Sequence, residues 1–120
     1  MKNKVVWIII GAVVLSAGLL IYQKVKPGAY DGLAQCLKDK GVIFFGAFWC
    51  PHCQNQKKLF GNSAKKLPYV ECSLPSGKGQ TDECNKEGIE GYPTWEFADG
   101  SRESKVLTPQ ELAEKVECTI

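Results

Sequence analysis

Val42-Ile43-Phe44-Phe45 and, three residues on, Trp49-Cys50-Pro51-His52-Cys53 set an apolar run of β-formers just ahead of two cysteines three positions apart. The first run reads as a short buried strand. Proline suits the first position of a helix, so the spacing predicts a helix from Cys50 to about Phe60, closed by Gly61-Asn62. Cysteines so placed can close a disulfide. The first sulfur would sit at the helix N-terminus, where unpaired N–H groups and the positive end of the dipole favour a thiolate over a thiol. A stabilised thiolate leaves easily, so a disulfide through Cys50 is readily reduced. Cys53, one turn in, is expected to be buried and to serve as the resolving thiol. The pair therefore reads as redox-active, against a structural disulfide or half of a zinc site. Zinc needs two more ligands at sensible spacing. Cys72 and Cys84 are separate singles, so no metal is expected. His52, the one histidine, would help hold the Cys50 thiolate or be an exposed polar residue at a helix start. Trp49 would shield the disulfide from water or merely pack.

Around this motif the chain alternates. Tyr30, Leu33 and Leu37 recur at helical spacing and Gly41 ends that helix. Leu67 to Cys72 reads as a second strand, Ser73 to Gln80 as a loop, and Thr81 to Glu87 as a short helix. Thr94 to Phe97 and Glu103 to Leu107 flank Asp99-Gly100, a hairpin signal. Pro93 sits just ahead of the third strand, where it removes no ladder bond. Thr108, Pro109 and Glu111 mark the last helix with a capping box, and Leu107 and Leu112 fit a hydrophobic staple.

Met1 to Lys26 carries four lysines and no acid. Val5 to Tyr22 is 18 residues without a charge, and as a helix it spans about 27 Å, close to a bilayer core. A cleaved signal peptide has a shorter apolar run ending at small residues, but Leu19-Leu20-Ile21-Tyr22 continues past Ser16-Ala17-Gly18. Residues 1–26 are therefore read as an uncleaved membrane anchor, ahead of a cleaved leader or a buried soluble helix. A linker of about seven residues follows Tyr22 and reaches at most roughly 25 Å when extended. Residues 27–120 form one domain with eleven Lys and Arg against thirteen Asp and Glu. The basic excess belongs to the membrane flanks, so nucleic-acid binding loses its support.

Strand, Trp-Cys-x-x-Cys, helix, then Gly91-Tyr92-Pro93-Thr94 ahead of a hairpin resembles the thioredoxin fold, an α/β architecture with a central mixed sheet and flanking helices. The Pro51-His52 dipeptide is similar to the DsbA-type Cys-Pro-His-Cys motif, that of a strong oxidant. The likeness is closer to the thioredoxin-like domain of bacterial vitamin K epoxide reductase homologues. It rests on Phe48 to Gln54, Lys58 to Gly61, Tyr69 to Cys72, Cys84 and Tyr92 to Trp95. The resemblance implies that Pro93 is cis and faces the disulfide, and that Tyr92 and Pro93 present the substrate strand. One departure is Phe44, six residues before Cys50, where thioredoxin has a buried aspartate. No acid there assists Cys53.

Six cysteines in so small a domain argue for an oxidising compartment. With Cys50 and Cys53 set aside, four cysteines allow three pairings. Cys72–Cys84 is favoured because it would tie a strand end to the short helix across a Gly-rich loop, and the resemblance supports it. Cys36–Cys118 follows only by elimination, against two free or buried thiols. In a thioredoxin fold their helices are expected on opposite faces of the sheet. The whole reads as a membrane-anchored thiol–disulfide oxidoreductase facing the periplasm or cell exterior, with no cofactor beyond its disulfide. Its partners would be protein thiols and disulfides, the lipid bilayer through residues 5–22, and a separate vitamin K epoxide reductase-like membrane enzyme that reoxidises it. The alternatives are a reductase fed by a transmembrane thiol carrier and a non-catalytic envelope binding module.

Overall fold

The computed structural model describes residues 1–120. Helix α1 (Lys2–Val25) is long and apolar enough to cross a membrane, and none of its residues is buried against the rest of the chain. The domain follows as α2 (Asp31–Asp39), β1 (Ile43–Gly46), α3 (Pro51–Phe60), a 3₁₀ stretch (Gly61–Lys66), β2 (Tyr69–Glu71), α4 (Asp82–Lys86), β3 (Thr94–Glu96), β4 (Arg102–Glu103) and α5 (Pro109–Val116). The sheet order is β2-β1-β3-β4, with β1 parallel to β2 and antiparallel to β3.

Strand alternation gives the sheet two apolar faces. Phe44 is in register with Tyr69 on one side and Trp95 on the other, so the three rings share a face. Phe44 stacks on Trp95 at 4.6 Å. Leu33, Ala34 and Leu37 of α2, Cys53 and Phe60 of α3, and Leu112 and Ala113 of α5 complete that core. On the other face Phe45 packs with Ile89 and with Cys72 and Cys84.

Helices α2 and α5 thus pack together on one face, correcting the expectation that they lie on opposite faces. The apolar stripes of both helices join the Phe44–Trp95 core, and a Cys36–Cys118 disulfide joins them directly. After α5, Glu117 adopts a left-handed conformation (φ 56°) and the Cys118 N–H donates to the Ala113 carbonyl, turning the chain back. Cys36 and Cys118 are therefore paired rather than free. Cys72–Cys84 is likewise closed, with Cα atoms 5.5 Å apart.

Four elements differ from expectation. Cys50 is the N-cap of α3 rather than its first helical residue. The chain continues past Gly61 as a 3₁₀ stretch. The second strand is confined to Tyr69–Glu71, and the hairpin's second arm to Arg102–Glu103. Leu107 leaves the sheet because a side chain takes its backbone: Gln56 Oε1 accepts from Leu107 N at 2.8 Å, and Gln56 Nε2 donates to Leu107 O at 2.7 Å.

The segment after α1 is not a free tether. Asn62 Nδ2 donates to Gln23 O at 3.0 Å, and the Ser63 hydroxyl accepts from Tyr30 N and donates to Asp31. Gly28 lies so close to the 3₁₀ stretch that a Cβ there would fall 2.1 Å from Ser63 Oγ. The linker of about seven residues is therefore pinned rather than free to use its full reach.

Candidate active site

Cys50 and Cys53 are the two free cysteines. Cys50 caps α3 with extended backbone, and its Sγ points at the Tyr92 carbonyl, 3.7 Å away. Its residual exposure is 7%, whereas Cys53 is fully buried. Loss of hydration pushes the Cys53 thiol up to about 12, from an ordinary 9.0. The backbone hydrogen bond at Ala47 and the Lys57 ammonium oppose that rise, while neighbouring Cys50 adds to it. Both cysteines are thus buried, but Cys50 keeps a sliver of exposure while Cys53 is sealed beneath it.

The Tyr92–Pro93 bond is cis, and Pro93 is buried at the start of β3. The Thr94 hydroxyl donates to the Gly91 carbonyl at 2.7 Å and ties the turn beneath them. Trp49 is half-exposed, with its edge against the Tyr92 ring and its Nε1–H donating to Ser73 Oγ at 2.9 Å. Pro51 and His52 are exposed, and the His52 imidazole makes no hydrogen bond within the chain. His52 instead lines a groove of about 330 Å³ with Tyr92, Pro93, Ser104, Lys105 and Val106. Cys72 and Cys84 are bonded to each other, so they are not ligands awaiting a metal at Cys50 and Cys53.

Several supporting residues were missed in the sequence. Glu71 Oε2 accepts from Phe48 N (3.2 Å), Tyr69 OH (3.1 Å) and Ser73 N (3.3 Å), binding the Cys50 loop to β2 and to the residue that holds Trp49. Lys57 lies one turn beyond Cys53 on α3, with Nζ 3.9 Å from the Tyr69 ring centroid. Gly46 opens the space between them: a Cβ there would fall 2.8 Å from the Tyr69 ring and 3.0 Å from Cys53 Sγ. Gln56, fully buried, also accepts from Trp95 Nε1 at 3.1 Å. The one sequence signal for Lys57 and Gln56 was their spacing from Cys53 on a helix; Glu71 lay inside the Tyr69 to Cys72 run that carries the resemblance, with no role assigned to it.

A cysteine N-cap facing the residue before a cis-proline, over a β2-β1-β3-β4 sheet, decides the family. The thioredoxin family model matches residues 22–120. The chain belongs to the thioredoxin family. It is 46% identical over 93 residues to "Thiol-disulfide oxidoreductase LTO1" of Arabidopsis thaliana, covering 72% of this chain and 23% of that protein. It is 27% identical over 84 residues to "Protein disulfide-isomerase erp38" of Neurospora crassa, covering 67% and 23%. The chain thus spans about a quarter of the length of these curated relatives.

Proposed function

We propose that the protein is a membrane-anchored thiol–disulfide oxidoreductase that oxidises thiols of exported proteins. The observation that carries this reading is the asymmetry of its two free cysteines, one capping α3 beside Tyr92 and Pro93, the other buried behind it. In the oxidising direction a substrate thiolate attacks Cys50 Sγ of the Cys50–Cys53 disulfide. The Cys50–Cys53 bond breaks and Cys53 leaves with the electron pair, taking a proton as it becomes the buried thiol. A second substrate thiolate then attacks the substrate sulfur of the mixed disulfide and releases Cys50 as thiolate. The substrate loses two electrons and two protons; the enzyme gains both electrons. Run backwards, Cys53 resolves the mixed disulfide. Pro93 and Tyr92 present the substrate strand, Trp49 flanks it, and Pro51 and His52 set the leaving character of Cys50. The chemistry needs no cofactor beyond the disulfide.

Helix α1 is the anchor, and its length and apolarity support placement in the bilayer through residues 5–22. The disulfides Cys36–Cys118 and Cys72–Cys84 support a domain facing the periplasm or cell exterior. Each round leaves Cys50 and Cys53 reduced, so an oxidant must follow. The resemblance to thioredoxin-like domains of bacterial vitamin K epoxide reductase homologues supports a membrane enzyme of that type as partner. The Cys53→Ser variant of the full chain in detergent, incubated with a disulfide-bonded peptide, should accumulate a mixed disulfide through Cys50. Cys50→Ser should trap nothing. Trapping through Cys53 would overturn the assignment of roles.

A further inference from the structure

The groove beside Cys50 has a composition that exchange chemistry alone does not explain. Tyr92 belongs to both places: its carbonyl faces Cys50 Sγ at 3.7 Å, and the residue lines the groove with Pro93. The opposite wall is Ser104, Lys105 and Val106. These residues follow β4, and their backbone N–H and C=O groups form no hydrogen bond within the chain. The chain bends at Lys105 beyond the end of β4, and a wall with unpaired backbone groups can receive the backbone of another chain. The Ser104 hydroxyl is tied to Thr94 Oγ1 at 3.0 Å, which fixes that wall to β3.

The basic side chains that line the groove are Lys105 and His52, and its lining includes no acid. Lys105 is exposed and enters no ion pair, while the nearby Glu103 is engaged by Lys115 at 3.7 Å. His52 is exposed, and its imidazole has no hydrogen-bond or ion-pair partner in the chain. The acid closest to the cysteine loop, Glu71, is held by Phe48, Tyr69 and Ser73 and is absent from the groove lining. The groove therefore carries an unneutralised positive charge on a domain that has more acids than bases overall.

The geometry points to a substrate subsite here: an extended segment whose cysteine reacts at Cys50 and whose neighbouring acidic side chain is received by Lys105 and His52. This rests on the oxidoreductase reading and adds a substrate class, cysteines flanked by Asp or Glu. The pairing is at the surface, so it selects by modest factors and weakens with salt.

The test uses the oxidised full chain in detergent and single-cysteine peptides. One peptide is uncharged near the cysteine; the others carry one Glu or one Lys at each of the three positions on either side. The rate of mixed-disulfide formation is read by quenching and mass spectrometry at low and high salt. At one or two positions the Glu peptide should react roughly fivefold faster than its Lys counterpart at low salt, with the gap closing at high salt. Lys105→Glu should reverse that order, a change of sign that general damage to the site does not produce. Lys65→Glu, which alters net charge equally on the 3₁₀ stretch, should leave the order unchanged. Equal rates for Glu and Lys peptides, or an order that Lys105→Glu leaves in place, would overturn the subsite while leaving exchange intact. Failure of every peptide, the uncharged one included, would instead sink the oxidoreductase reading.

Discussion

Lys57 is expected to set the pace at which Cys53 releases a partner held on Cys50. Cys53 must attack as a thiolate, yet its thiol is pushed up to about 12, first by burial, against an ordinary 9.0. At neutral pH that difference lowers the thiolate fraction about a thousandfold, since each pH unit is a factor of ten. When Cys50 is tied up in a mixed disulfide its own charge disappears, but burial, the largest cause, remains. The release rate should therefore climb about tenfold per pH unit from pH 6 to 9, with no plateau in that range. Lys57 opposes the rise from one helical turn away, its ammonium held against the Tyr69 ring at 3.9 Å. The ammonium is the weaker of the two groups that oppose the rise, after the backbone hydrogen bond at Ala47. Lys57→Met keeps the aliphatic stem and removes the charge. It should move the whole profile up by a fraction of a pH unit and slow release about two- to threefold at any pH within it. Lys57→Arg should restore most of the rate. The assay loads Cys50 with thionitrobenzoate and follows release of the coloured thiol by stopped flow. A plateau below pH 8, or a Lys57→Met profile identical to that of the unaltered protein, would refute the reasoning.

Gln56→Leu keeps the volume of the side chain but leaves the Trp95 indole N–H and both backbone groups of Leu107 buried without partners, so urea unfolding should show a loss of about 3–5 kcal/mol. A loss below about 1 kcal/mol would mean those groups find other partners. Replacing Cys36 and Cys118 by alanine opens a loop of sequence separation 82 and should destabilise by about 4–5 kcal/mol, more than the about 3 kcal/mol for Cys72 and Cys84 at separation 12; the same unfolding experiment would show an inverted order if chain entropy is not the cause.

The parts of the fold written in local chemistry were legible in the sequence. Thr108, Pro109 and Glu111 form the capping box as read, because a cap depends on residues within one turn of each other. Pro51 opens α3 for the same reason. What escaped was set by distant partners. Leu107 has strand-like neighbours, but Gln56, 51 residues away, takes its backbone groups. Glu71 looks like any exposed acid at a strand end until the chain brings Phe48, 23 residues earlier, to its carboxylate. The pairing of Cys36 with Cys118 depended on which face α2 takes, and that is decided by where its apolar stripe finds Phe44 and Trp95. The reactive pair was readable because Cys50 and Cys53 share one helical turn; its electrostatics were not, because Lys57 acts only once Gly46 lets Tyr69 and Cys53 close together.

The pinned linker changes what an anchor does. Helix α3 carries Cys50 at its N-terminal end, while the 3₁₀ stretch that follows its C-terminal end holds the chain emerging from α1. Ten helical residues separate those ends by about 15 Å, so Cys50 stands at a set height from the anchor's exit rather than anywhere within a flexible radius. On the proposed membrane-anchored reading, a membrane-embedded oxidant would then meet Cys50 at a fixed distance as well as at high effective concentration. Gly28→Ala tests this directly, because its Cβ would fall 2.1 Å from Ser63 Oγ and 2.4 Å from Ser63 N, and backbone cannot yield that much cheaply. The 3₁₀ stretch should shed the linker, and proteolysis between Lys24 and Tyr30 should accelerate while the domain beyond stays intact. Exchange with a soluble peptide should be unchanged, since Gly28 is remote from Cys50. Reoxidation of Cys50 and Cys53 in cells should slow at equal protein level. If the linker becomes protease-sensitive and reoxidation keeps its rate, orientation is irrelevant and the anchor serves only to retain the protein at the membrane.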